Sequence, residues 1–166
     1  MQDNTSTASA SVEAGHLHLN NSLIFWVNRL ASAMRETFNE ALAVENISWP
    51  QWMSVNVLAH EEADTPAKIA ECLGVDRSAI TRLLDRLVDK GLVQRQHDDG
   101  DRRSVRVYLT PEGKSLAKRV DQLALEHQQR FLSQLPATEV RVFKSHVQKL
   151  LREAGVESSR QWRTID

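Results

Sequence analysis

The chain has 166 residues, of which 41% are hydrophobic and 26% charged, and its formal net charge is −1. This length and composition allow one domain, or two small ones, with a packed core. They exclude a helical membrane protein, because no run approaches the roughly 18 apolar residues that cross a bilayer, and the N-terminus carries no signal-peptide pattern. The single cysteine, Cys72, excludes an intrachain disulfide. We therefore expect a soluble, cytoplasmic protein.

The N-terminal part of the chain changes character after a short tail. Residues 1–14 are small, polar and aperiodic, which predicts disorder. From about Leu17 to Ala43, apolar residues recur at steps of three and four, which predicts a long amphipathic helix. A second helix is expected after Ser48, with Pro50 in its first turn, and should run to about His60.

Two shorter helices follow, separated by a tight turn. Thr65 and Pro66 form an N-cap and first-turn pair, and Gly74 is expected to end the third helix. Asp76 then caps a fourth helix that extends to Asp89. Two helices joined by a glycine-containing turn are typical of a helix-turn-helix.

The fourth helix has one apolar face and one polar face at 100° per residue. The apolar face contains Ile80, Leu83, Leu84, Leu87 and Val88. The opposite face contains Ser78, Arg82, Asp85 and Arg86. Hydroxyl and guanidinium groups read base edges and contact phosphates in a major groove, so we interpret this as a DNA-recognition helix. Its acids are expected to pair with its own arginines. The alternative is a surface helix whose charged face is only solvated.

The stretch that follows carries a local positive bias. From Arg77 to Arg106 the chain has eight lysines and arginines against five acidic residues. Two strands are expected here, Leu92 to His97 and Ser104 to Leu109, with the polar sequence DDGDRR between them. A two-stranded ribbon beside a helix-turn-helix is a wing. Arg102 and Arg103 at its tip are placed to reach phosphates or a narrow minor groove.

Two more amphipathic helices are predicted after the wing. Thr110 and Pro111 begin the fifth, and Pro136 separates it from the sixth. One winged domain cannot cover the apolar stripes of the first, fifth and sixth helices, so we infer that both chain ends form a two-fold dimerisation region.

The predicted fold is mainly α with a small two-stranded wing (α+β), a winged helix-turn-helix with a helical dimerisation region. Its expected parts are a disordered tail (1–14), an N-terminal dimerisation helix (15–47), the winged helix-turn-helix domain (48–110), C-terminal dimerisation helices (111–155) and a second tail (156–166).

A family resemblance covers about Leu23 to Leu151. The segments SAITRLLDRLVDKGLVQR and DDGDRRSVRVYLTPEGK resemble the MarR family of bacterial transcriptional regulators. The wing of that family carries an Asp-x-Arg pattern, which Asp101 and Arg103 match, and its strand exit reads LTxxG, which residues 109–113 match. The resemblance implies a dimeric regulator, in most members a repressor, often released by aromatic acids or phenols.

The resemblance also implies roles for individual residues on DNA. Arg103 would enter the minor groove and Arg82 would contact the duplex, while Asp101 would steady neighbouring arginines through a charge-assisted bond. The candidate DNA-binding residues are Arg77, Ser78, Thr81, Arg82, Arg86, Asp101, Arg102 and Arg103. A two-fold dimer would bind a pseudo-palindromic operator whose half-sites lie roughly 34 to 36 Å apart.

Four residues suggest an effector pocket. Trp26 and Arg29 in the first helix, with Trp49 and Trp52 at the start of the second, offer aromatic walls and a cation. Such a set suits an aromatic carboxylate, and the resemblance implies a site between the dimerisation helices and the winged domain. To release the protein from DNA, an effector must bind more tightly to a dimer whose recognition helices are spaced wrongly for DNA. A ligand with equal affinity for the two dimer states would not change their populations. The alternative is that Trp52 packs in the core, Trp49 is a hydrophobic staple at the start of a helix, and Arg29 lies on a solvated face.

Other classes of function have weaker support. No Gly-rich phosphate loop, zinc spacing or nucleophile–base motif indicates an enzyme, and we expect no cofactor and no metal site. Cys72 is expected to be buried as a small apolar residue rather than to react. His127, on the apolar stripe of the fifth helix, is expected to be a satisfied interface histidine rather than a ligand or a base. The expected partners are double-stranded DNA, a second copy of the chain and a small aromatic effector, without a membrane. The competing interpretation is a winged-helix adaptor that binds a protein without operator specificity.

Overall fold

The computed structural model describes residues 18–97 and 105–156. Along these ranges the elements are a 3-10 turn (Leu19–Asn21), α1 (Leu23–Val44), α2 (Trp49–Ala59), α3 (Pro66–Leu73), α4 (Arg77–Asp89), β1 (Val93–His97), β2 (Val105–Leu109), α5 (Pro111–Leu132) and α6 (Ala137–Glu153). The predicted fold class, mainly helical with a two-stranded wing, is confirmed. A search of the described helices for a membrane span found no candidate.

The chain divides into two compact units, and the division falls inside α1, after Glu36. In the first unit the Ser22 hydroxyl accepts a hydrogen bond from the Phe25 amide at 3.3 Å, at the beginning of the helix. The predicted start at Leu17 was too early, because a 3-10 turn capped by the His18 ring precedes α1.

The core of the second unit draws side chains from the end of α1, from α2 to α4, from the wing and from the first half of α5. The largest fully buried side chains are those of Phe38, Leu42, Val55, Ile69, Ile80, Leu84, Leu87, Val107 and Val120. In contrast, α6 contributes no buried residue. The core therefore forms around the helix-turn-helix, and the last helix adds nothing to it.

Local capping explains where α3 and α4 begin and end. The Thr65 hydroxyl accepts a hydrogen bond from the Lys68 amide at 3.3 Å, which satisfies one free N–H of the first turn of α3. Gly74 ends that helix with φ of 63°, a left-handed conformation that glycine adopts without a steric penalty. The Asp76 carboxylate then accepts from the Ser78 amide at 2.7 Å. The predicted helix–turn–helix boundaries are confirmed.

The wing is an antiparallel hairpin whose register runs from Val93 opposite Leu109 to His97 opposite Val105. Its second strand is also bonded to the loop before α3, because the Val107 amide donates to the Asp64 carbonyl at 2.7 Å. The base of the wing is thereby fixed to the helix-turn-helix. The predicted strand start at Ser104 lies outside the described residues.

The step from the wing into α5 depends on a threonine and a glycine. The Thr110 hydroxyl donates to the Gly91 carbonyl at 2.7 Å and accepts from the Gly113 amide at 3.0 Å. A Cβ on Gly113 would lie 2.0 Å from the Leu92 carbonyl oxygen. Only glycine therefore lets the first turn of α5 approach the end of the α4–β1 turn this closely.

Candidate nucleic-acid interface

The orientation of α4 is fixed by its apolar face. Ile80, Leu84 and Leu87 are at most 2% exposed and belong to the core. The candidate DNA-binding residues on this helix, Arg77, Ser78, Thr81, Arg82 and Arg86, are all solvent-exposed. One side of α4 is thus packed against the protein, and the other side presents short polar groups and arginines to solvent.

The N-terminal half of α4 is ordered by its own hydrogen bonds. Hydrogen bonds from Ser78 lower the pKa of the Asp76 carboxyl, so that this cap stays ionised near neutral pH. The Thr81 hydroxyl donates to the Arg77 carbonyl at 3.0 Å, which leaves its oxygen able to accept from another group. These side chains are therefore pre-oriented on the exposed face.

Contrary to the expectation from the sequence, Asp85 does not pair with an arginine of its own helix. The Asp85 carboxylate binds the Arg95 guanidinium of β1 at 2.7 Å, and not an arginine of its own helix. Within residues 18–97 and 105–156, Arg82 and Arg86 make no ion pair. The guanidinium groups of Arg82 and Arg86 can therefore serve as donors to an external anion.

The predicted wing-tip contacts fall outside the described part of the chain. Asp101, Arg102 and Arg103 lie in the stretch 98–104, and their roles stay predictions. On either side of this stretch, His97 and Val105 pair with each other across the hairpin.

The candidate effector residues belong to different units. Trp49 and Trp52, in the second unit, have ring centroids 4.9 Å apart, and each ring meets the Phe38 ring edge to face. Trp26 and Arg29 lie in the first unit and are both exposed, and the Trp26 indole donates to the Asn20 carbonyl at 2.8 Å.

Phe38 and His127 extend the aromatic cluster of the second unit, and sequence reasoning did not place them in the predicted site. The His127 ring lies 4.9 Å from the Phe38 ring and 5.0 Å from the Phe131 ring, and its Nε2 is 2.9 Å from the Thr37 hydroxyl. The His127 ring is therefore satisfied by a hydrogen bond, as expected, and its place in a dimer interface stays a prediction. The period of α1 indicated that Phe38 faces inward, but no local pattern pairs it with a residue about 90 positions away.

A buried polar atom distinguishes this cluster from an ordinary core. The Trp52 indole nitrogen is buried, and no group in the described ranges accepts its hydrogen bond. A buried N–H without an acceptor costs about 1 to 3 kcal/mol. Such atoms often lie where a ligand or water completes the site.

Cys72 is half-buried, and its surroundings disfavour the thiolate form. Burial raises the pKa of the Cys72 thiol, and the Glu62 carboxylate, 3.7 Å from the sulfur, raises it further. Since the thiolate is the nucleophile, this environment disfavours reaction. A search of the described residues for three or more clustered His, Cys, Asp or Glu side chains found no candidate metal site.

Comparisons with known proteins agree on one group. The model of the MarR family matches residues 45–104. The organic hydroperoxide resistance transcriptional regulator of Bacillus subtilis strain 168 is 31% identical over 104 residues, which are 63% of this chain and 71% of that protein.

Two solved structures have the same fold over most of the chain. A mutant of MarR from Escherichia coli in complex with operator DNA has a TM-score of 0.71 at 30% identity, over 76% of this chain and 91% of that one. The PcaV transcriptional regulator from Streptomyces coelicolor, in complex with its natural ligand, has a TM-score of 0.74 at 26% identity, over 84% and 99% of the two chains.

Proposed function

The chain belongs to the MarR family of transcriptional regulators, and from this we propose that it is a homodimeric repressor, released from a pseudo-palindromic operator by a small aromatic acid or phenol. The proposal of operator binding rests on the contrast between the buried and the exposed face of α4. Ile80, Leu84 and Leu87 are buried, while Arg82 and Arg86 are exposed and make no ion pair within the described ranges. A helix held in this way can enter a major groove without disturbing the core.

The distribution of charge supports DNA rather than a protein partner. Base edges and phosphates are acceptors for guanidinium groups, and the exposed face of α4 offers arginines beside the hydroxyls of Ser78 and Thr81. The sequence adds Arg102 and Arg103 at the wing tip. A module that only binds proteins gains little from two arginines in the segment between the wing strands.

The exposed apolar face of α6 supports the dimer. In the single chain this face exposes Phe143, Val147, Leu150 and Leu151, each by at least 39% of its surface. Several large apolar side chains on one exposed helix indicate an interaction surface. A second copy of the chain is the occupant we propose, because a two-fold pair presents two α4 helices to one duplex.

The aromatic cluster of the second unit supports the effector. Trp49, Trp52 and Phe38 supply flat apolar surfaces, and the buried Trp52 N–H lacks an acceptor among the described residues. A carboxylate or phenol oxygen would complete that donor. Trp26 and Arg29 remain candidates from the sequence alone.

Operator binding is tested by selecting bound fragments from the source genome and measuring their affinity by fluorescence anisotropy. We expect an inverted repeat with half-sites roughly one helical turn apart, and affinity that falls steeply with salt. Binding that does not distinguish the selected fragments from random DNA would favour the adaptor interpretation.

Effector binding is tested by titrating salicylate-like acids and phenols while following tryptophan fluorescence and operator release. Trp52→Phe keeps the aromatic ring and removes the N–H, so it should weaken the effective ligands by about tenfold if that bond forms, a loss of about 1.4 kcal/mol. Trp49→Phe makes the same change of ring size without removing the buried donor of Trp52, so it is the matched control and should lose less affinity than Trp52→Phe. No quenching and no release across a broad panel would contradict the proposed pocket.

A further inference from the structure

Arg95 is a cationic residue of β1 that contacts α4. Neither the sequence pattern nor the similar proteins assign it a role. In β1 it lies two residues after Val93, so the two side chains share one face of the strand. Its cross-strand partner is Val107, and Val93 and Val107 are both at most 2% exposed. Arg95 therefore lies on the face of the wing that is packed inward.

The guanidinium of Arg95 holds two points on α4. One nitrogen is 2.7 Å from the Asp85 carboxylate, and another donates to the Thr81 carbonyl at 3.4 Å. Thr81 and Asp85 are four residues apart, so this contact spans one turn of the helix. That turn includes Arg82, and the next residue after Asp85 is Arg86.

This contact contributes little to folding. The side chains of Arg95 and Asp85 are 34% and 50% exposed, and exposed ion pairs add little to stability. The position of α4 is already fixed by Ile80, Leu84 and Leu87 in the core. The effect of the Arg95 contact must therefore be sought on the exposed side of the helix.

Two consequences for DNA follow from the geometry. Without Arg95, the Asp85 carboxylate would lose its partner and would compete with DNA phosphates for the guanidinium groups of Arg82 and Arg86 beside it. In addition, the contact adds a link between β1 and α4, and so helps to hold the strands of the wing against the recognition helix.

We propose that Arg95 is a positioning residue that couples the wing to the recognition helix and neutralises Asp85, so that both elements engage the operator together. This inference rests on the proposed operator binding. It makes Arg95 a determinant of specificity that acts through Asp85 and the Thr81 carbonyl rather than through a contact of its own with a phosphate.

The test compares four variants of the full chain on the selected operator and on random DNA, at several salt concentrations. The variants are Arg95→Ala, Asp85→Asn, the double variant, and Gln94→Ala as a control at the neighbouring exposed position of β1. Arg95→Ala should weaken operator binding about tenfold and random DNA much less, with an unchanged salt slope and an unfolding midpoint close to that of the wild type. The double variant should recover part of the loss, because it removes the uncovered carboxylate.

Two results would overturn the inference. A salt slope lowered by about one unit, with equal losses on all sequences and no recovery in the double variant, would make Arg95 a direct phosphate contact. If Arg95→Ala binds the operator and random DNA as the wild type does, Arg95 has no role in DNA binding. If the wild-type chain itself binds no DNA, the proposed function fails, and that result is distinguishable because it appears before any variant is measured.

Discussion

Individual side chains of α4 differ in what they can offer to DNA. Asp76 is occupied as a helix cap and Asp85 is paired with Arg95. Arg82 and Arg86 keep their donors directed to solvent, and neither makes an ion pair among residues 18–97 and 105–156. We therefore propose that these arginines, together with Ser78 and Thr81, are the side chains that read DNA.

Arg82→Ala tests base reading at the residue scale. If Arg82 donates to a base edge, its loss should cost about 1 to 3 kcal/mol on the operator and relax the preference at one base pair. Arg103→Ala, if that residue contacts the backbone, should weaken all sequences alike and lower the salt slope by about one unit. Anisotropy titrations with operators substituted at single positions distinguish the two patterns. Equal losses on every sequence for Arg82→Ala would contradict base reading.

Asp64 gives a prediction about pH. Its carboxylate accepts from Lys68 at 3.0 Å and pairs with Arg106 at 2.5 Å, and the Lys68 hydrogen bond is the main cause that lowers the pKa of Asp64. Because the folded-state pKa lies below the unfolded-state value, the ionised group stabilises the fold above the ordinary carboxyl pKa of about 4. That stabilisation is lost as the pH falls through the lowered value.

The measurement is urea unfolding of wild type and Asp64→Asn between neutral pH and about pH 3. The wild type should be more stable at neutral pH, and the difference should narrow on acidification. The backbone bond from Val107 to the Asp64 carbonyl is retained in the variant, so the wing stays attached. Asp89→Asn, at an exposed position of α4, is the control and should show little difference at any pH. A constant difference between wild type and Asp64→Asn would contradict the assignment.

At the scale of elements, the joint between the wing and α5 is the most constrained. Thr110 links the Gly91 carbonyl to the Gly113 amide, and the Leu92 carbonyl occupies the space that a side chain on Gly113 would need. The joint fixes the direction in which α5 leaves the winged domain. Its geometry explains in physical terms the threonine and glycine of the LTPEG segment, residues 109–113.

Gly113→Ala should therefore destabilise the protein, although alanine is the better helix former by about 1 kcal/mol. The added methyl group would lie 2.0 Å from the Leu92 carbonyl oxygen, so the backbone must shift, and such overpacking costs about 1 to 3 kcal/mol or more. Thermal and urea unfolding measure the effect. Lys114→Ala, at the adjacent exposed position, should stay near the wild-type value. A stabilised Gly113→Ala would show that the two segments do not approach this closely.

At the scale of the whole molecule, the apolar face of α6 is the basis for the proposed dimer. A double substitution, Val147→Glu with Leu150→Glu, places two charges on that face without disturbing the core, because α6 contains no buried residue. We expect a monomer by light scattering and operator affinity reduced by at least tenfold. Leu123 of α5 is a poor site for this test, since it packs against the core and its loss would confound dissociation with unfolding.

The control for this prediction is Ser145→Glu, which adds an acid on the opposite face of α6 and should leave both the mass and the affinity unchanged. A dimer of wild-type affinity in the Val147 and Leu150 variant would mean that the chains do not associate through this face. A wild-type chain that is monomeric both free and on DNA would contradict the dimer altogether.

The sequence by itself determined the order of the helices, the place of the wing and the family. Thr65, Gly74 and Asp76 cap helices through contacts within one helical turn of their own positions. The helix ends could therefore be predicted from the local sequence. The apolar period of α4 likewise showed which face would be buried, because periodicity reports on a surface that must leave water.

Only the tertiary structure decided which distant groups meet. Periodicity places Asp85 on the exposed face of α4. It does not show that Asp85 pairs with Arg95 of the following strand rather than with an arginine of its own helix. In the same way, the partners of Asp64 on the wing, and the meeting of Phe38 with His127, depend on how packed elements cross. Such pairings follow from the burial of whole surfaces, and no local rule of spacing encodes them.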